Sequence, residues 1–380
     1  MLYLFLALFV YVCFALKNNK IIKTTVGNEL IIPAERNKQK ISWLAVVVLI
    51  LFAGVRDFYV GSDLPHYYWV FERIAKGHNM SNGDLYYGPL FKILNWLCSF
   101  ISVGDLGFSI MLLIISIAVV LSAVYVSKEM SSDISMSMFL FVCIDCYVSS
   151  FSMLRQSIAI VFVMIAFKCI YNKRPVVYIL SILSAYFFHE SAILLLPLYL
   201  IRFLNKRSIE YVLYFLGAVC LVLFSFYEEQ IVDIICRTFN FHYYSSYGVK
   251  GAPLTMMSYL KGLMIIGVFI FFLLFRRYRE KKNLKTSKCF DLCLIFYYFS
   301  ALLNFYNMLT GYFITISRMT YYFTWVLMLM VPEFLQSIEN KKWKKIFTCL
   351  MVVAGICYLS TTVVLRDQFL IDPYKTIFGF

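Results

Sequence analysis

Apolar residues run along this chain in long unbroken blocks, separated by short polar segments, from the first residues almost to the last. Such blocks cover 2–16, 41–55, 107–126, 135–151, 156–171, 209–226, 258–275, 289–303, 314–331 and 346–364. They do not alternate with period two, so the strand pattern of a membrane barrel is missing. A hydrocarbon layer about 30 Å thick takes roughly 17–25 apolar residues per helix, fewer where the bilayer thins or flanking side chains snorkel. Inside it no water satisfies the backbone, so continuous apolar runs must become helices. The expected fold is all-α, a polytopic transmembrane helical bundle.

Two stretches need separate treatment. The run 176–201 is apolar but broken by Phe188-His189-Glu190-Ser191, and 89–103 (PLFKILNWLCSFISV) is amphipathic. Charge resolves both. The segments 17–40, 172–174, 202–207, 276–288 and 341–345 hold 22 of the 35 lysines and arginines. The positive-inside rule places all five on the cytoplasmic side, which demands an even number of crossings between neighbours. The run 176–201 must then form two short helices with His189 at the far turn. Residues 89–103 must stay on the outer side as a re-entrant or interfacial helix. About twelve spans result, with both chain ends outside. The remaining outer loops, 56–88, 227–257 and 304–313, and a tail from about 365 are rich in Tyr, Asp, Asn and Gly. That composition suits carbohydrate, and Glu228, Glu229 and Asp233 read as a solvated face.

Composition agrees with this picture. Charged residues make up 15% of the chain, against about a quarter in soluble proteins, and mean hydropathy is +0.77. The net charge of +14 could point to nucleic acid, but its placement in short loops between apolar blocks makes it topological. Most of the eleven cysteines are single and lie inside apolar segments, where they read as small buried hydrophobes. Cys143 and Cys146 form a C-x-x-C without a second pair, which argues against zinc or redox chemistry. The opening run MLYLFLALFVYVCFAL lacks a basic leader and a small-residue cleavage site, so it reads as a retained first helix. No repeat or Pro/Gly/Ser-rich linker divides the chain; residues 1–380 read as a single integral membrane domain.

Charged groups in or near the bilayer cost about 2.5–3.5 kcal/mol at a helix centre, so each asks for a reason. Arg56 and Asp57 close the second apolar block and precede Gly61-Ser62-Asp63. Arg155-Gln156 joins two blocks almost without a loop, His189-Glu190 sits at a hairpin tip, Arg318 opens a later block, and Asp145 lies within FLFVCIDCYVSSF. An ordinary reading exists for each: snorkelling arginines, a turn histidine, and an intramembrane carboxylate that is protonated or paired with one of the arginines. The sharper reading is that Arg56, Arg155 and Arg318 converge on the outer face, where guanidinium suits a pyrophosphate. No P-loop, D-x-D, H-E-x-x-H, G-x-S-x-G or metal-spaced His/Cys cluster is present, so the expected site uses no metal and no cofactor.

The order of these motifs resembles the EpsG family of Wzy-like bacterial polysaccharide polymerases. The resemblance rests on G-V-R-D…G-S-D…Y-Y…F at 54–71, Y-G-P-L-F at 87–91 and S-M-L-R-Q-S-I-A-I at 152–160. It continues in F-F-H-E-S-A-I-L-L-L-P at 187–197, S-R-M-T-Y-Y-F at 317–323 and D-P-Y-K at 372–375. It departs from the family at Gly61-Ser62-Asp63-Leu64, where members often read G-T-D-Y. The resemblance implies a GT-C-like membrane glycosyltransferase in the bacterial inner membrane, with its cavity open to the outer face. Its substrate would be an oligosaccharide repeat unit on undecaprenyl pyrophosphate, its neighbours a chain-length regulator and a flippase. Transition-state charge would fall to Arg155 and Arg318, with Arg56 as a third cation. His189 would accept the proton, with Asp63 or Asp57 as alternatives. Gln156, Glu190, Asp145 and Tyr374 would complete substrate binding. A lipid-linked glycan flippase, an O-antigen ligase and a membrane acyltransferase stand as other readings. The absence of a detectable repeat weighs against the first, and the outer placement of His189 against the last.

Overall fold

The structure, a computed structural model, describes residues 1–18, 39–78, 87–204, 207–227, 254–311, 314–365 and 369–379, with isolated positions at 230, 234, 238 and 367. Most of the first basic segment and most of the 227–257 loop, with Glu228, Glu229 and Asp233, lie outside the described residues. The elements in chain order are helices α1 (Leu2–Asn18), α2 (Trp43–Gly54), α3 (Leu64–Ala75), α4 (Pro89–Ile101), α5 (Asp105–Met130) and α6 (Ile134–Cys143). A short 3-10 turn (Val148–Phe151) leads to α7 (Leu154–Tyr171) and α8 (Pro175–Phe188), and a long 3-10 segment spans Glu190–Phe203. Then come α9 (Arg207–Phe226), α10 (Met256–Lys281), α11 (Lys288–Thr310), α12 (Ile314–Met319), α13 (Tyr321–Thr324), α14 (Leu327–Ser337) and α15 (Lys341–Ser360). Among the described residues there is no strand, only an isolated bridge between Arg56 and Thr376.

Among the described residues, six helices are long and apolar enough to cross a membrane: α5, α7, α9, α10, α11, and α15 with the turn that extends it to Leu365. The other apolar helices, α1, α2, α4, α6 and α8, are shorter. The chain is therefore an all-helical membrane protein. The expected twelve spans and GT-C likeness are finer statements than these six helices establish.

Two expected spans are broken, for identifiable reasons. The block 135–151 is helical only to Cys143. Asp145 then takes a left-handed backbone (φ 69°), and the chain continues as a 3-10 turn. Non-helical backbone at membrane depth survives only where protein covers it, and Tyr147 to Leu154 are all buried. The block 314–331 divides into α12, α13 and the start of α14. That break leaves the Arg318 carbonyl outside a regular ladder, and the Gln156 side chain donates to it at 2.6 Å.

The hairpin at 176–201 has the expected two limbs, of different kinds. At about 2.0 Å per residue a 3-10 segment covers more distance than an α-helix of equal length. The 14 residues of Glu190–Phe203 thus reach about 28 Å, close to the hydrocarbon thickness. The Tyr178 hydroxyl on α8 donates to the Leu195 carbonyl at 2.5 Å and ties the limbs together. At 13 residues, α4 extends about 20 Å.

The inter-helix segments gather at two ends. At one end the Asn18 side chain donates to the Lys40 carbonyl, Gln39 donates to Ser131, Lys168 pairs with Glu129, and Ser287 donates to Glu333. At the other, Tyr3 reaches Ile371, and the C-terminal tail lies along 55–62. There the amides of Asp57, Gly61 and Ser62 donate to the carbonyls of Lys375, Leu370 and Phe369. Between these ends α5, α7 and α11 are more than half buried within the protein. By contrast α9, α10 and α15 turn most of their apolar surface outward, as lipid-facing helices do.

Candidate functional site

The site gathers at the end opposite the basic segments, from four stretches far apart in sequence. The first is the turn before α3. Gly61 has φ 136°, and its α-carbon lies so close to the Phe151 carbonyl that a side chain would collide with it. Only glycine fits, which explains the G of the G-S-D triplet. The turn delivers Asp63 to the start of α3, itself absent from the sequence reading. The buried spacing of Leu64, Tyr67, Val70 and Phe71 was its legible signal.

The second stretch is the first turn of α7, carrying Arg155 and Gln156. The third is the α8 hairpin tip with His189, Glu190 and Ser191. The fourth is α12, with Arg318. One Arg318 nitrogen lies 2.8 Å from Asp63 Oδ2, with both side chains about a quarter to a third exposed (30% and 25%). Arg155 and Arg318 both lie within electrostatic range of His189, and Arg155 also of Glu190. Glu190 is 8% exposed, and its Oε1 has no hydrogen-bond partner among the described residues. The same holds for Oε1 of Gln156, at 2% exposure. Two buried acceptors thus await donors, at a cost of about 1–3 kcal/mol each unless a ligand or water supplies them.

Residues the sequence reading left without a role complete the cluster. The Arg155 guanidinium lies 4.4 Å from the centre of the Tyr87 ring. Tyr87 stacks on His66 (6.2 Å), His66 on Trp69 (5.8 Å), and Arg73 covers Trp69 (4.8 Å). This aromatic column runs from the outer surface of α3 to Arg155. Burial and the nearby Arg155 charge, against a smaller pull from Asp63, hold the His66 imidazole below its usual range. Gly88, beside Tyr87, touches the Phe187 carbonyl so closely that no β-carbon would fit. That contact locks the start of α4 against the end of α8, just before His189. Tyr322 closes the base, 3.2 Å from the Ser191 hydroxyl and with its ring 6.5 Å from that of His189.

Other expected site residues are engaged elsewhere. Arg56 is 1% exposed. Its guanidinium donates to the carbonyls of Ala53, Ser150 and Phe151 and lies 4.7 Å from the Phe151 ring. It ties the end of α2 to the 3-10 turn. Asp57 accepts from the Tyr59 amide at 2.9 Å. Tyr374 stacks on Phe52 at 4.1 Å and donates to its carbonyl, which anchors the tail. Asp145 pairs with a lysine in place of an arginine: Lys261 of α10 at 2.9 Å, with the Tyr358 hydroxyl of α15 at 2.5 Å on the same oxygen. That network holds the two lipid-facing helices to the helix break.

A family model described as the EpsG family matches residues 41–376, which takes in every residue of this cluster. No curated protein matches the chain. No solved structure matches it either.

Proposed function

Because the chain belongs to the EpsG family of Wzy-like polysaccharide polymerases, we propose that it joins lipid-linked oligosaccharide repeat units into a surface polysaccharide. In this reading the basic end faces the cytoplasm and the Arg155 cluster opens to the outer face of the bacterial inner membrane. The donor is a growing glycan on undecaprenyl pyrophosphate, and the acceptor is one repeat unit on the same carrier. An acceptor hydroxyl attacks the donor's anomeric carbon. The bond from that carbon to the pyrophosphate oxygen breaks, and undecaprenyl pyrophosphate leaves.

The observation that carries this reading is that Arg318 pairs with Asp63 while Arg155 and Arg318 lie within electrostatic range of His189, and Arg155 of Glu190, from four distant segments. The leaving group gains negative charge as it departs, so fixed cations lower the barrier most where that charge grows. Arg155 serves this role from the first turn of α7, where the helix amides also favour an anion. Arg318 serves it from the other side, oriented by Asp63. Asp63 is engaged by Arg318, which favours an orienting role for it, and His189 takes the acceptor's proton. Glu190 and Gln156 offer buried acceptor oxygens to sugar hydroxyls. Arg56, whose two terminal nitrogens donate to backbone carbonyls, is assigned to the scaffold.

Deletion of the gene followed by gel analysis of the surface glycan tests the proposal. A ladder that collapses to a single repeat unit is expected, with those single repeats displayed outside. An unchanged ladder overturns it, and repeats trapped inside would indicate a flippase.

A further inference from the structure

A second recess lies at the opposite end of the molecule, among the basic segments. It has a volume of about 460 Å³ and is bounded by the α7–α8 turn, the end of the 3-10 segment and the starts of α9 and α11. Four cations line it: Lys173, Arg202, Arg207 and Lys288. Two acids, Glu210 and Asp291, line it too, but both are already taken. Arg207 contacts them at 3.0 and 2.6 Å, and the fully buried Arg276 reaches Glu210 at 2.7 Å. Among the described residues Lys173, Arg202 and Lys288 enter no ion pair.

The positive charge left over is held in a particular way. The Arg202 guanidinium lies over the rings of Tyr199 and Phe203, at 5.4 and 5.0 Å, and donates to the Tyr199 hydroxyl at 2.6 Å. Its orientation is therefore set before any ligand arrives. The same recess has an apolar wall, formed by Ile170, Ile201, Leu292 and Ile295. Unpaired cations and hydrocarbon lining one recess, at the level of the basic loops, suit an anionic lipid: cations for the phosphate, apolar wall for the acyl chains. A soluble anion would use the cations and leave the apolar wall unused.

We infer that this recess binds an anionic phospholipid of the basic-side leaflet, with Lys173, Arg202 and Lys288 on its phosphodiester. The site does not depend on the polymerase reading. Its occupant would brace the 3-10 segment at Arg202, the end opposite Glu190.

The test uses the full-length chain purified in a mild non-ionic detergent, with native mass spectrometry as the readout. Phosphatidylglycerol is expected to stay bound where phosphatidylcholine, at equal concentration, does not. A Lys173→Gln/Arg202→Gln/Lys288→Gln variant should retain phosphatidylglycerol at least ~tenfold more weakly, since each basic residue at a membrane surface contributes about 1 kcal/mol. A Lys281→Gln/Lys282→Gln/Lys341→Gln control, with equal charge removed at the same end but outside the recess, should bind like the parent. Unchanged retention by the first variant, or equal loss from both, would overturn the assignment. So would complete displacement by inorganic phosphate, which has no acyl chain. Should the triple variant misfold, Lys173→Gln and Lys288→Gln alone alter only exposed side chains. Each should weaken retention roughly fivefold, and no effect from either overturns the proposal.

Discussion

Arg318 and Asp63 lie 255 residues apart in sequence, yet their side chains meet at 2.8 Å, at the end of the bundle opposite the basic segments. Neither residue sits within a long helix. Asp63 is held by the glycine turn before α3, and Arg318 by a short helix whose carbonyl is capped by Gln156. The pair is part-exposed, so its contribution to stability is small, about 0–1 kcal/mol.

Its contribution to activity should be larger. Asp63→Asn and Arg318→Lys are each expected to insert normally and to lower polymerisation by about tenfold or more, because an ammonium cannot keep the fork geometry. If both act through one positioned guanidinium, the double variant should be little worse than the poorer single one. In vitro polymerisation with a lipid-linked repeat unit measures this. Independent, additive losses would sink the coupling.

Arg56 and Arg155 should fail in different ways. Arg56→Ala takes a donor from the buried carbonyls of Ala53, Ser150 and Phe151, so a loss of at least about 1–3 kcal/mol in stability is expected. It should appear as aggregated or degraded protein on size-exclusion chromatography. Arg155→Ala should give a normal monodisperse peak and short-chain glycan only. Long-chain polymer from a stably inserted Arg155→Ala variant would remove Arg155 from the mechanism.

Gly88→Ala should be damaging, since the new methyl group meets the Phe187 carbonyl and forces α4 away from α8. Overpacking of this kind costs about 1–3 kcal/mol. It should also displace Tyr87 from beneath Arg155 and so lower activity. Gly267→Ala, in α10 with nothing within 4 Å, serves as the contrast and should be neutral or slightly stabilising, by up to about 1 kcal/mol. Thermal unfolding in detergent compares the two.

Asp145→Asn and Lys261→Met should each destabilise the protein more than the two together. Lys261→Met strands the buried Asp145 carboxylate, at a cost of about 3–5 kcal/mol. Asp145→Asn removes the counter-charge of the part-buried Lys261 at a smaller cost, and the double change removes both charges. The melting temperatures of the three variants decide this. A double variant that melts below both singles would show that the pair acts otherwise than as mutual neutralisation.

Much of this arrangement was legible without coordinates. Basic segments and apolar blocks required His189 to lie at a far turn, and the hairpin 176–201 does turn there. The same parity predicted that 89–103 stays uncrossed, and there the structure has a 13-residue apolar helix, α4. Asp145 was legible as costly, a carboxylate inside an apolar block that must be protonated or paired, and the structure pairs it. Which partner it found was not legible: Lys261 follows it by 116 residues, and no local pattern links them. Arg56 shows the same gap. Sequence could mark it as costly to keep, but only packing revealed that its terminal nitrogens donate to backbone carbonyls of α2 and the 3-10 turn.

What the sequence determined by itself was a membrane bundle, its two unlike ends, and the residues too polar to be there without cause. Those follow from local rules, since hydrocarbon excludes unsatisfied backbone and charge wherever it occurs along the chain. The tertiary structure decided which polar groups satisfy one another and which are left facing the site. That outcome depends on contacts between segments hundreds of residues apart, set by the packing of helices whose lipid-like surfaces carry almost no pairing information.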